Sequence, residues 1–163
     1  MKNKFFLKKP FINILEKPRL NSNIASQIIY GEKYKILSKN EKYFKIQNNH
    51  DGYIGYIKKI KKINNFHPTH KVRILKSQIY LGKNRRKSNI YLPFASKIEI
   101  LKTKKNFVMY EENKWIKSID IIPITKKNQD YRKIFKLFLN CKYKWGGKTF
   151  KGIDCSAMLQ IFY

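Results

Sequence analysis

Acidic residues are scarce in this chain of 163 amino acids: 10 Asp and Glu stand against 37 Lys and Arg, a formal net charge of +27. Cysteine is scarcer still. Cys141 and Cys155 are too few for a disulfide framework and lack the His, Cys, Asp or Glu company of a metal site. No metal and no organic cofactor is expected. No apolar run approaches the roughly 18 residues that a membrane-crossing helix needs. The N-terminal MKNKFFLKKPFINILEKP has the positive charge of an export signal, but Lys4, Lys8, Lys9 and Asn13 interrupt its apolar stretches. It has no h-region, so a cytoplasmic location is expected.

The charge alone points to nucleic acid or an anionic membrane surface. Three features weaken that reading. The basic residues are spread along the whole chain. Lys greatly outnumbers Arg, the residue suited to bidentate phosphate and base contacts. The abundance of Ile, Asn, Tyr and Phe with little Ala is the bias of an AT-rich coding sequence. A solvated basic surface is favoured over a nucleic-acid partner, and a polyanion partner stays open as the alternative.

What is present is apolar enough to fold, with 42% hydrophobic and 15% aromatic residues. Short segments rich in Ile, Tyr and Phe run through Phe11–Leu15, Gln27–Tyr30, Lys33–Leu37, Tyr43–Gln47 and Tyr53–Ile57. Tyr34 and Ile36 alternate with Lys33 and Lys35, the period of a half-buried strand. Turn residues punctuate them at Gly31-Glu32, Lys39-Asn40 and Asn48 to Gly52. Five short strands in so little chain predict a small β-barrel.

The pattern then repeats at an offset of about sixty residues. Ile36-Leu37-Ser38, Phe44-Lys45-Ile46 and Tyr56-Ile57 are echoed by Ile100-Leu101-Lys102, Phe107-Val108-Met109 and Trp115-Ile116. The polar stretch from Lys58 to His67, closed by Pro68, reads as the linker between two copies. After Pro123 the period becomes helical: Tyr131, Ile134, Phe135 and Phe138 share one face of a helix over 128–139, capped by Asn128 or Asp130. A glycine-bearing loop over 140–153 follows. A second apolar stretch, Cys155 to Tyr163, opens just after Asp154.

Chemistry concentrates in Tyr143-Lys144-Trp145-Gly146-Gly147 and Gly152-Ile153-Asp154-Cys155-Ser156. Asp154 stands at a helix N-cap, which places Cys155 in the first turn. Unpaired N–H groups and the helix dipole favour an anion there, and the thiolate is the nucleophilic form of cysteine. Gly146 and Gly147 allow a tight turn and close approach, and Tyr143 and Trp145 would wall the site.

This segment resembles the NlpC family of papain-like cysteine peptidases of the cell wall. Their pattern is an aromatic-x-Trp-Gly-Gly loop, then Gly-x-Asp-Cys-Ser opening a helix with a Leu/Val-Gln pair. The matches are Tyr143, Trp145, Gly146, Gly147, Gly152, Asp154, Cys155, Ser156, Leu159 and Gln160. Upstream, 26–32, Asp51 to Tyr56 and 68–72 resemble the two N-terminal bacterial SH3-like domains of that family's murein-peptide dipeptidyl peptidases. The implied fold is mainly β with a small α part. Two SH3-like β-barrels, residues 1–63 and 64–124, would precede the N-terminal helix-loop-helix of an α+β papain-like domain over 125–163.

The resemblance further implies a substrate: small murein peptides with a free N-terminal L-Ala, cut between γ-D-Glu and the diamino acid. Cys155 would be the nucleophile and Tyr143 would orient the substrate or polarise its carbonyl. Asp154 and Ser156 would hold the free amine beside Trp145. The first barrel would contribute an acidic and an aromatic residue, for which Glu32 and Tyr53 are the candidates. Lys142 replaces the family's usual Pro, and Ala157 its usual Gly.

A larger departure is the absence of a histidine after Cys155, since thiolate attack needs a proton donor for the leaving amine. His67 and His70 flank Pro68 in the expected linker, and His50 lies in a polar turn, so none of them is expected to be that base. The resemblance therefore implies a C-terminally truncated and inactive peptidase, with Met158, Leu159 and Phe162 left uncovered. The alternative from another class is a basic SH3-like module that binds a polyanion or a peptide. A redox pair of Cys141 and Cys155 is disfavoured, because the spacing is not C-x-x-C and Cys141 reads as a helix-end packing residue.

Overall fold

Strands prevail because the apolar residues are mostly β-branched or aromatic and recur at alternate positions. The structure, a computed structural model, describes residues 4–126 and 130–161. The first sheet contains β1 (Lys4–Phe6), β2 (Phe11–Leu15), β3 (Ile24–Ile29), β4 (Lys33–Lys39), β5 (Tyr43–Asn48) and β6 (Ile54–Lys58). All pairings are antiparallel, in the order β1-β4-β5-β6-β2-β3. The expected barrel thus appears as an open sheet with β1 and β3 at its edges. Strand β1 is too short to show a period in sequence, and it forms by pairing with β4 while Phe5 packs on Tyr34 at a ring distance of 6.0 Å. Leu7, Ile14, Ile28, Tyr34, Phe44, Ile46 and Ile57 make the buried core. Burying side chains of this size stabilises by about 1.5–3 kcal/mol each relative to exposure.

The second part contains β7 (His70–Val72), β8 (Lys76–Leu81), β9 (Arg86–Pro93), β10 (Lys97–Ile98), β11 (Lys102–Lys104), β12 (Phe107–Glu111), β13 (Lys114–Lys117) and β14 (Ile121–Pro123). They form two sheets, β11-β12-β13-β8-β9 and β10-β7-β14. The meander β11-β12-β13 occupies the place that β4-β5-β6 holds in the first part, the structural form of the sequence repeat. In the stretch expected as a linker most residues are exposed, but Phe66 is packed. Phe66 is 3% exposed and stacks edge-on against Phe6 at 5.2 Å and Tyr30 at 6.2 Å. Tyr30 follows β3 but is buried in the second part's core with Val72, Leu92, Ile98 and Tyr110. Its hydroxyl donates to Glu111 Oε1 at 2.7 Å.

Helix α1 (Tyr131–Phe138) is capped by Asp130, which accepts from the Arg132 N–H at 3.0 Å. Asn128, the other cap candidate, lies outside the described residues. Of the four apolar residues expected on one face, Ile134 and Phe138 are buried while Tyr131 and Phe135 are exposed. Ile134 and Phe138, an i,i+4 pair, join the cluster of Phe94, Ile153, Ala157 and Ile161, and Leu137 packs against it. Then come β15 (Lys148–Thr149), β16 (Gly152–Ile153) and α2 (Cys155–Gln160). The α2 face expected to be uncovered is partly covered: Met158 packs on that same cluster, whereas Leu159 is exposed. Phe162 lies outside the described residues. Cys141 packs against the same cluster, at the end of α1. Among the described residues no helix is long and apolar enough to cross a membrane.

Candidate functional site

The loop from Lys142 to Asp154 is held by its own backbone. Ile153 donates to Lys142 O at 3.1 Å and Lys144 donates to Ile153 O at 3.2 Å. Gly147 donates to Lys144 O at 2.9 Å, and Asp154 N–H returns to Gly147 O at 3.1 Å. Gly146 lies so close to β3 that a Cβ there would come 2.7 Å from Ile24 O. The loop is therefore seated on the first sheet.

Asp154 caps α2 as the sequence implied, and it does more. Its Oδ1 accepts from Ala157 N–H at 2.7 Å and from the Ser156 hydroxyl at 2.8 Å, while Oδ2 accepts from Gly146 N–H at 2.9 Å. One carboxylate thus joins the helix start to the Gly-Gly turn, with Cys155 between them. Cys155 is exposed. Tyr143 and Trp145 are exposed on the same loop at 66% and 68%. From the first sheet, the Tyr53 hydroxyl lies 3.5 Å from Ser156 Oγ, at the outer limit of a hydrogen bond. Tyr53 begins the turn into β6 and packs on the first core. The structure so brings Tyr53, Asp154, Cys155 and Ser156 together across the seam between the first sheet and α2.

Glu32 is placed differently. It is 3% exposed, and its Oε2 accepts from Ile29 N–H at 3.0 Å and from Asn48 Nδ2 at 3.2 Å. Its Oε1 pairs with Lys148 Nζ at 2.7 Å, and the same ammonium reaches Asp51 Oδ2 at 2.9 Å. Glu32 therefore faces the seam interior and reaches Asp51 through both Lys148 and Asn48. Burial pushes the Lys148 ammonium toward the neutral form, but Glu32 and Asp51 pull harder, and the net direction is up. With its folded pKa above the ordinary value of about 10.4, the stabilisation tied to the charged ammonium is present below that pH and is lost as the pH rises through the folded pKa.

Sequence reasoning missed Lys148, Asp51 and Gln27. Nothing separates a buried lysine from the other members of a set of 37 Lys and Arg. Of the histidines, His50 meets the end of α2, its Nε2 3.1 Å from Gln160 O, while His67 is bonded to Asn65 and His70 to Thr69. Burial pushes the Cys141 thiol up. Iodoacetamide at pH 7.5 is accordingly expected to modify Cys155 at least about tenfold faster than Cys141, read by peptide mass spectrometry. Equal rates would contradict the exposure difference.

Residues 14–59 match the family model of the bacterial dipeptidyl-peptidase Sh3 domain. This stretch is similar to a bacterial Sh3 domain. It contains Gln27, Glu32, Asp51 and Tyr53 of the sheet side of the seam. The fold is similar to a crystal structure of an NlpC/P60 family protein from Bacillus cereus, with a TM-score of 0.78 at 14% identity, over 98% of this chain and 71% of that one. NlpC2 from Trichomonas vaginalis superposes at a TM-score of 0.34 with 17% identity, over 99% of this chain and 66% of that one. No curated protein matches the sequence.

Proposed function

We propose that the chain carries the nucleophile and the amine-binding groove of a cysteine peptidase for short murein peptides. The bond cleaved is the one between γ-D-Glu and the diamino acid, and the peptide has a free N-terminal L-Ala. The observation that carries this reading is the meeting of Tyr53 from the Sh3 domain with Ser156 and Asp154 on either side of the exposed Cys155. The fold shared with an NlpC/P60 family protein supports it.

In this reading Asp154 supplies the negative charge and Ser156 and Tyr53 the hydroxyls that receive an ammonium. The γ-carbonyl then lies beside Cys155, flanked by Tyr143. Cys155 Sγ attacks the carbonyl carbon, the C–N bond breaks, and the leaving amine takes a proton; water later releases the acyl group. Among the described residues none of the three histidines is hydrogen-bonded to Cys155, so this reading assigns that proton to a histidine other than these three. The chain by itself then binds the peptide without turning it over. A cytoplasmic site of action fits a small peptide whose amine is already free.

Calorimetry with the tripeptide L-Ala-γ-D-Glu-diaminopimelate tests the reading. The free-amine peptide is expected to bind at least about tenfold tighter than its N-acetylated form, because acetylation leaves Asp154 without its cation. Equal affinity for the two, or no binding of either, sinks the proposal.

A further inference from the structure

The Lys148 ammonium is buried in the seam together with its two carboxylate partners. Its side chain is 1% exposed, that of Glu32 3% and that of Asp51 0%. Lys148 is also held through its backbone, since its N–H donates to Gln27 Oε1 at 2.8 Å while Gln27 Nε2 donates to Asn13 Oδ1 at 2.9 Å. The peptide that follows Gly147 is therefore fastened to the Sh3 domain at both backbone and side chain.

Asp51 makes this more than an anchor. Its Oδ2 holds the ammonium, and its Oδ1 accepts from Tyr53 N–H at 3.1 Å. From Tyr53 the contacts run through its hydroxyl to Ser156, from Ser156 to Asp154, and from Asp154 to Gly146, two residues before Lys148. The chain of contacts closes on itself around Cys155. We propose that Lys148 is a positioning residue that fastens the Gly-Gly loop to the Sh3 domain and so sets Tyr53 opposite Ser156. Glu32 acts through it: Glu32 orients the ammonium and does not meet the ligand. The bearing of Lys148 on a ligand rests on the peptidase reading; its bearing on the seam does not.

An uncharged side chain of similar length would leave two carboxylates facing each other in a dry seam, the situation that breaks a buried ion pair. Amide hydrogen exchange on the full chain reads the result by segment. In Lys148→Met, exchange over residues 145–157 and over the 48–53 turn is expected to speed up at least about tenfold, while β8 to β13 keep their protection. Glu32→Gln keeps the side-chain shape and leaves the ammonium Asp51, but it turns one acceptor oxygen into an NH₂ that faces a buried donor, so the same pattern is expected at about threefold. Unchanged exchange over 145–157 in both variants overturns the proposal, and so does equal acceleration in every strand, which marks a general loss of stability.

The tripeptide supplies a readout that packing alone would not move. Lys148→Met is expected to bind it about tenfold more weakly and to lose most of the preference for the free over the acetylated amine. A loosened seam with unchanged affinity and preference overturns the positioning role. If the unsubstituted chain does not bind the tripeptide, the peptidase reading fails, and the exchange pattern by itself decides whether Lys148 closes the seam.

Discussion

Replacing Asp154 with alanine is expected to destabilise the chain by about 3 kcal/mol in a urea titration, more than an ordinary N-cap at about 1 kcal/mol. The difference comes from how many donors one carboxylate serves. Ala157 N–H, the Ser156 hydroxyl and Gly146 N–H all end on it. Truncation orphans two backbone donors at once, and hydrogen bonds to a charged acceptor contribute about 1.5–3 kcal/mol each before non-additivity is counted. Asp154→Asn separates cap from charge. Its amide oxygen can serve Ala157, but its NH₂ group then faces the Gly146 donor, so roughly half the loss is expected. A loss below about 1 kcal/mol for the alanine variant would show that α2 and the Gly-Gly turn are not joined through this side chain.

Gly31→Ala is expected to cost roughly 3 kcal/mol or more, measured in the same way, and it acts far from Cys155. Gly31 has φ +78°, a region where a side chain costs about 1–2 kcal/mol. The larger part is steric: a Cβ at this position would lie 2.0 Å from Lys97 O and 2.8 Å from Lys97 C. Both are backbone atoms, so no rotamer change relieves the clash. Lys97 N–H also donates to Tyr30 O at 3.0 Å, and the displaced strand would take that bond with it. Gly52→Ala is the control, with φ +76° but nothing within 4 Å of the added Cβ. It is expected to lose only about 1 kcal/mol. Equal losses at the two positions would refute the close approach between the two sheet systems.

Strands β4 and β5 were legible because their apolar residues alternate along the chain, and the repeat at about sixty residues located the second meander. The α2 cap was legible because Asp-Cys-Ser carries its own local chemistry. The seam was not. Glu32 reads as a turn residue and Lys148 as one more surface lysine, and only the meeting of chain segments far apart in sequence makes them a pair. The helix over 131–138 shows the same limit: its period gave the apolar residues, while the contacts with Phe94, Ile153, Ala157 and Ile161, distant in sequence, decided that Ile134 and Phe138 would be buried. The contact between Tyr53 and Ser156 was suggested only through resemblance, since their separation of 103 residues leaves no local signal.

That separation has a consequence for the order of events as the chain is made. Glu32 and Asp51 precede Lys148 by 116 and 97 residues. Synthesis from the N-terminus at about 5–20 residues per second leaves several seconds between them. A first sheet that closes on the ribosome does so with both carboxylates still hydrated and Gln27 without its Lys148 partner. Docking of the Gly-Gly loop is then a separate, later event that expels water from an already shaped acidic notch. Closing so long a loop carries an entropic cost, so the loop before Cys155 is seated after the wall it depends on has folded.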